Sequence, residues 1–208
     1  MQITVFGASG KVGKQVVELA LAQKLEVVAF VHSKNPFEPK PGLSVVKGDI
    51  NDAEAVKKAV EGSDAVISTL GSWGTKDKNS LTVGMRNIIP AMETSKPTRL
   101  ITLTGSGATW SGDKPSIFDK ASHILLGLVA RKILEDGEEH LRLLDASDLD
   151  WTAIRSPVMS SKSVSGYKLS YKPPSLVAKI PREAVAKCLI DQIEDIDFIR
   201  QAPHIHHA

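Results

Sequence analysis

Three glycines carry the clearest chemical spacing in this chain: Gly7, Gly10 and Gly13, in Val5-Phe6-Gly7-Ala8-Ser9-Gly10-Lys11-Val12-Gly13. An apolar run, Ile3 to Phe6, precedes them, and a stretch of helical periodicity, Val12 to Ala22, follows. A glycine turn between a buried strand and a helix is suited to phosphate. It offers unobstructed backbone and the free N–H groups and partial positive charge of the helix N-terminus. Gly7 can take the angles of a tight turn off the strand. Gly10 has no side chain to keep a pyrophosphate from the backbone, and Gly13 lets the helix lie close on the sheet. Ser9, Lys11 and Val12 fill the turn and are expected to share the phosphate contact. The alternative is a strand–helix turn that merely favours glycine, but strand, spacing and helix here agree on a dinucleotide site.

A second group is marked by the type of residue it lacks. Glu26 to Val31 reads as the next strand and ends in Val31-His32-Ser33-Lys34-Asn35, with no Asp or Glu from Val27 to Phe37. An acid at the end of this strand would bond a ribose 2′-hydroxyl and repel a 2′-phosphate. Ser33 and Lys34, next to His32, can instead hold a phosphate, so NADP(H) is the expected cofactor. A solvated loop is the competing reading.

These residues need elements to position them. Further strands are expected at Leu43 to Lys47, Asp64 to Thr69, Arg99 to Leu103 and Trp151 to Arg155, with a short one near Tyr167 to Tyr171. Helices are expected from Asp52 (a plausible N-cap) to Val60, from Asn79 to Thr94 with a kink or shift at Pro90, and from Pro181 to Ile193. A long helical region, Phe118 to Ala146, has apolar residues three and four apart at Ile124, Leu128, Ile133, Leu141 and Leu144, and Gly137 is expected to break it. Strands alternating with helices imply one α/β domain over residues 1–208: Rossmann-like, doubly wound, mostly parallel, with a small C-terminal part on the substrate side. Ligands in such sheets bind beyond the carboxyl ends of the strands. That makes Leu70 and Gly71, after the fourth strand, candidates for close approach to the cofactor. Trp73 either walls the pocket or covers the core's edge.

The spacing G-x-x-G-x-x-G resembles the short-chain dehydrogenase/reductase superfamily. Later segments resemble its atypical branch of NmrA-like proteins and the flavin reductase/biliverdin reductase B group. These are the acidic helix leading into Leu149-Asp150-Trp151-Thr152, then Arg155-Ser156-Pro157, Gly166-Tyr167 and Ile180-Pro181-Arg182-Glu183-Ala184-Val185-Ala186. Ser156 interrupts the branch's Arg-Pro pair. The resemblance covers nearly the whole chain. It implies that Asp49, with Ile50, meets the adenine, unless Asp49 only ends its strand. It implies that Pro157 lies where the branch closes over the nicotinamide. It also implies that Thr104 and Ser106, at the end of the fifth strand, stand where the superfamily has its catalytic serine; turn chemistry is the other role open to them.

The departure from the superfamily is equally informative. Its usual catalytic pair is Tyr-x-x-x-Lys on the long helix. The two tyrosines here, Tyr167 and Tyr171, come after it, and neither has a lysine four residues on. Lys132 is the one candidate for a ribose-contacting lysine, a solvated surface residue being the alternative. The resemblance therefore implies an NADPH-dependent oxidoreductase that passes hydride to a small flat acceptor such as a flavin or quinone. The competing class is a non-enzymatic redox sensor that binds dinucleotide and regulates a partner protein.

Composition sets the remaining bounds. The chain has 208 residues with 26 basic and 24 acidic side chains, interspersed, for a net charge of +2, which argues against a nucleic-acid surface. No apolar run reaches membrane-spanning length. The single cysteine, Cys188, falls on an apolar helix face with Val185 and Leu189, as a buried thiol would, and with no secretory leader pattern this fits a reducing cytoplasm. Ser160 to Pro174, rich in Ser, Lys and Pro, reads either as a mobile segment able to cover a site or as a merely ragged connection. His204, His206 and His207 read as a disordered tail, and no metal site is assigned.

Overall fold

Residues 1–73, 77–95, 97–161 and 166–208 are described by the structure, a computed structural model, apart from the side chains of Phe118 and Ser122. The chain begins β1 (Gln2–Phe6), α1 (Lys11–Ala22), β2 (Glu26–Val31), β3 (Leu43–Lys47), α2 (Ala53–Val60), β4 (Ala65–Ser68) and α3 (Ser80–Glu93). It continues β5 (Arg99–Gly105), α4 (Ile117–Asp145), β6 (Asp150–Ser156), β7 (Val158–Ser160) and β8 (Tyr167–Ser170). It ends with β9 (Lys179–Pro181), α5 (Arg182–Asp191) and β10 (His204–His207). Eight strands form one sheet in the order β3-β2-β1-β4-β5-β6-β10-β8, and β7 pairs with β9 separately. All pairings are parallel except β8 with β10. The strand order reverses between β1 and β4, which opens a crevice at their carboxyl ends.

The central strands are apolar on both faces because helices cover both. On one side, Val12, Val16, Val17 and Ala20 of α1 and Val185, Cys188 and Leu189 of α5 pack on Ile3, Val5 and Ile67. On the other, Val56 of α2, Met85 and Ile88 of α3, and Leu141 and Leu144 of α4 pack on Phe6, Val66 and Leu100. Cys188 is fully buried, and its burial pushes the thiol well above its usual range.

Helix starts are secured one by one. Asp52 caps α2 by accepting from the N–H groups of Glu54 and Ala55 at 3.0 and 3.2 Å. Ser116 and Asp119 form a reciprocal capping box at the start of α4. The N-caps of α1 and α5, Gly10 and Pro181, make no side-chain cap hydrogen bond.

Three expectations change. Gly137 does not break the long helix; α4 kinks at Ala130 instead, where φ is −137°. Gly137 serves for contact: a Cβ there would lie 3.0 Å from Thr104 Oγ1 and 2.9 Å from Ala108 Cβ. The first half of α4 turns its apolar stripe outward, leaving Ile124 and Leu128 exposed, while Leu141 and Leu144 are buried. The histidine tail is not disordered but forms β10, with His204 buried and paired in register with Arg155. The C-terminal part thus divides between an extension of the main sheet and the small β7–β9 pair. α3 runs on through Pro90 into its last turn. Of the segment 160–174, residues 162–165 lie outside the described residues, as does Gly74.

The end of β6 is fixed by a buried ion pair. Arg155, 1% exposed, holds Asp113 through its two terminal guanidinium nitrogens at 2.5 and 2.6 Å and donates to the carbonyls of Ala202 and Ala108. It ties the loop after β5 to the strand before β7.

His140 on α4 is fully buried, with neither ring nitrogen hydrogen-bonded among the described residues. Burial lowers its pKa from 6.5 to about 4, against a smaller opposing pull from Asp136. Burial, then Arg155, brings His204 down to about 3. The unfolded chain binds these protons first, so stability should fall as pH drops from 6.5 towards 4. The expected outcome for His140→Leu is a flatter urea-unfolding profile between pH 6 and 4.5, the slope relieved by about 1.4 kcal/mol per pH unit. An unchanged slope would contradict this origin.

Candidate functional site

The glycine turn leaves β1 with Gly7 at φ +73°, a conformation that side chains rarely take. Its carbonyl accepts the N–H of Gly10 at 2.9 Å, closing the turn. Thr69, just past β4, donates its hydroxyl to the carbonyls of Phe6 and Gly7 at 3.0 and 3.1 Å. Gly13 is packed hard against this assembly: a Cβ there would lie 2.2 Å from the Gly7 carbonyl oxygen. Gly10 differs, since a Cβ on it would meet only that same oxygen, at 3.1 Å. The backbone of Gly10 therefore faces open space. The N–H groups of Lys11, Val12 and Gly13 have no acceptor among the described residues, and the first turn of α1 carries no acid. Ser9, Gly10 and Lys11 are exposed and Val12 is buried. An uncapped helix N-terminus with open backbone in front of it fits a pyrophosphate. A cleft of about 450 Å³ adjoins it, with Lys11, Lys14, Ser160 and Arg182 in its walls.

At the neighbouring strand end, His32, Ser33 and Lys34 are exposed beyond β2. Asp49, beyond β3, accepts from the backbone and side-chain N–H groups of Asn51 at 2.9 and 2.8 Å. These bonds, above all the backbone one, hold its carboxyl below the usual range. His32 Nε2 stands 3.5 Å from it, with both side chains largely exposed. The Ile50 carbonyl accepts from Asn87 of α3 at 2.7 Å. The structure thus brings His32, Asp49 and Ile50 to one edge of the crevice, with Ser33 and Lys34 beside them.

On the other side of the glycine turn the crevice is walled by backbone. Nothing among the described residues lies within 4 Å of a Cβ placed on Gly71, after β4, or on Gly105, the last residue of β5. Leu70 turns away, its side chain seated against Gly84 of α3. The expected hydroxyls separate here. Thr104 is 6% exposed, its Oγ1 directed at Gly137 of α4, whereas Ser106 is half-buried, with its N–H bonded to the Ser156 carbonyl at 2.8 Å. Pro157 is buried next to Ser156 at the exit of β6. Trp73 is 76% exposed and covers no core. Trp110 is drawn to the far end of α4, donating to Asp145 at 2.9 Å and meeting Trp151 edge-on.

Both tyrosines are engaged elsewhere. Tyr167 donates to Asp191 at 2.6 Å, and burial with this bond drives its hydroxyl far above its usual pKa. Tyr171 donates to Gln201. They belong to or adjoin β8, three strands from β5 and so roughly 14 Å away at the usual strand spacing. Lys132 is exposed on α4, lining a cleft with Asp77 and Thr82.

Two residues that build the site carry little sequence signal. Thr69 looks like the last residue of an apolar strand, yet its hydroxyl clasps the glycine turn. Asp136 is one acid in an acidic run, yet it is buried and accepts from the N–H groups of Leu81 and Thr82 at 3.1 and 2.9 Å. It caps α3 across the fold.

The chain belongs to the NAD(P)H-binding family, which accounts for residues 7–196. A 2-alkyl-3-oxoalkanoate reductase from Shewanella oneidensis is 29% identical over 117 residues, 54% of this chain and 30% of that protein. The chain spans about a third of the length of the curated relatives it matches. Among solved structures, a short-chain dehydrogenase/reductase from Veillonella parvula in complex with NADP superposes with a TM-score of 0.78. It is 19% identical, and the match covers 99% of this chain and 94% of that one. An anaerobillin reductase from Escherichia coli superposes at 0.74 with 23% identity, covering 100% and 97%. The fold is that of the short-chain dehydrogenase/reductases. No helix among the described residues is long and apolar enough to cross a membrane.

If the uncapped α1 turn takes the pyrophosphate, Gly10→Val should weaken NADPH binding by about 3 kcal/mol, roughly 100-fold, by filling phosphate space. Calorimetry on the folded variant is the check, and an unchanged dissociation constant would contradict the siting.

Proposed function

We propose that this protein is an NADPH-dependent reductase that delivers hydride to a flat conjugated acceptor such as a flavin, a quinone or a tetrapyrrole-like pigment. The observation that carries this reading is the crevice over β4, β5 and β6. Gly71 and Gly105 leave open space there, with the half-buried Ser106 next along the chain, while both tyrosines are bonded at the sheet's far edge. A ketone needs a placed acid as hydride arrives. A conjugated ring system spreads the incoming charge and takes its proton from water or a hydroxyl.

In this reading the α1 N-terminus, with Ser9, Gly10, Lys11, Val12 and Gly13, binds the pyrophosphate. Ser33 and Lys34 bind the 2′-phosphate, with His32 beside them. Asp49 and Ile50 border the adenine. Gly71 and Pro157 enclose the nicotinamide, which supplies the hydride, and Leu70 anchors that wall against Gly84. Ser106 bonds the acceptor or the carboxamide, and Thr104 supports that wall from behind. Binding geometry then contributes most of the rate, since positioning alone can lower a barrier by several kcal/mol. The relatives' names support reduction as such; a 2-alkyl-3-oxoalkanoate is a keto acid, and the flat acceptor rests on the crevice alone.

Two expectations follow. NADPH should bind at least about tenfold more tightly than NADH, since charge-assisted hydrogen bonds contribute about 1.5–3 kcal/mol, and Lys34→Ala with Ser33→Ala should erase the difference. Equal dissociation constants in the unmutated protein would contradict it. Second, single-turnover NADPH oxidation with saturating flavin should survive the double change Tyr167→Phe and Tyr171→Phe, whereas Ser106→Ala should slow it by about tenfold. A loss of several orders of magnitude in the tyrosine variant would make one of them the acid. No oxidation against any flavin or quinone would move the reading to a dinucleotide-binding regulator of a partner protein.

A further inference from the structure

The loop between β4 and α3 is held at two points, one on each side of Gly71. Leu70 sits in the notch left by Gly84 of α3, where a Cβ would come within 2.4 Å of its Cδ1. Ser72, 2% exposed, donates its hydroxyl to Asp136 Oδ2. Gly71 lies between these anchors with its backbone facing open crevice.

Asp136 does more than fix Ser72. It is 4% exposed and uses both carboxylate oxygens: Oδ2 also accepts the N–H of Leu81 at 3.1 Å, and Oδ1 that of Thr82 at 2.9 Å. Its backbone carbonyl takes the Thr82 hydroxyl at 3.4 Å. The next residue, Gly137, lies against Thr104 and Ala108, at the exit of β5. One turn of α4 therefore grips the loop after β4, the start of α3 and the end of β5 together. The capping oxygens are buried, and three donors converge on this one carboxylate.

We propose that Asp136 is a positioning residue that holds the Leu70–Trp73 loop so that Gly71 presents its backbone to the nicotinamide half of the cofactor. This rests on the siting of the dinucleotide given above. A plain structural cap would weaken every ligand alike; a positioning residue weakens the nicotinamide half selectively.

The test compares NADPH with adenosine 2′,5′-bisphosphate, which carries the adenine half alone, by calorimetry. Asp136→Asn keeps the volume but leaves one acceptor oxygen for three donors. It should raise the NADPH dissociation constant about tenfold while that of the bisphosphate stays within about twofold. Ser72→Ala leaves the helix cap intact and should shift the ratio in the same direction by less. It keeps the proposal testable if Asp136→Asn fails to fold. The double variant should be no worse than Asp136→Asn, because the two act through one bond. Parallel losses for both ligands, or none for either, would overturn the role of Asp136. Equal affinity of the unmutated protein for the two ligands would overturn the siting of the nicotinamide half and the proposal with it.

Discussion

The first turn of α1 sits so close on the end of β1 that no side chain fits between them. Gly13 lies against the Gly7 carbonyl, and the Thr69 hydroxyl bridges the carbonyls of Phe6 and Gly7 from the adjoining strand. This contact aims the helix axis at the crevice where the strand order reverses. The N-cap is Gly10, which has no side chain to cap with, and the N–H groups of Lys11 to Gly13 have no acceptor among the described residues. The contrast with α2, α3 and α4 is informative. Asp52, Asp136 and the Ser116–Asp119 pair satisfy those helix starts from within the protein. The α1 start has no such partner among the described residues, and in the proposed reading it takes the cofactor's phosphates.

The opposite wall depends on α4. Its kink at Ala130 separates an outward-facing first half from a second half that is bolted to the sheet. At Asp136 and Gly137 that second half meets both the loop after β4 and the end of β5. The site is thus framed by two close approaches, each built on glycine: α1 on β1 at Gly13, and α4 on β5 at Gly137. The Arg155–Asp113 pair then secures the loop after β5 against β6.

Much of this was legible in the sequence because it rests on local pattern. The strands β1 to β6, the helix starts near Asp52 and Pro181, and the separate tasks of Gly7 and Gly13 follow from periodicity, capping and turn chemistry. The parts that were not legible rest on contacts between distant residues. Gly137 reads as a helix breaker because its purpose, contact with Thr104, is set by a strand more than thirty positions earlier. Ile124 and Leu128 share the spacing of core residues but face outward, since spacing cannot say whether a face has a partner. His204 to His207 carry no strand pattern and become a strand because β6 and β8 offer them backbone bonds on either side. Of the candidate site, the geometry of the glycine turn was readable. The separation of Ser106 from Thr104 was not, because it depends on where β5 ends: Thr104 lies within the strand under α4, and Ser106 lies past its last residue.

The central claim is that the open N–H groups of α1 are the anion site of the cofactor. Titration of ¹⁵N-labelled protein with NADP⁺, followed by amide resonances, tests it most directly. The account predicts that the amides of Gly10, Lys11, Val12 and Gly13 shift most, with Gly71 and Gly105 following, while Glu54 and Ala55, already capped by Asp52, stay in place. Saturable binding that leaves Gly10 to Gly13 unshifted would contradict it.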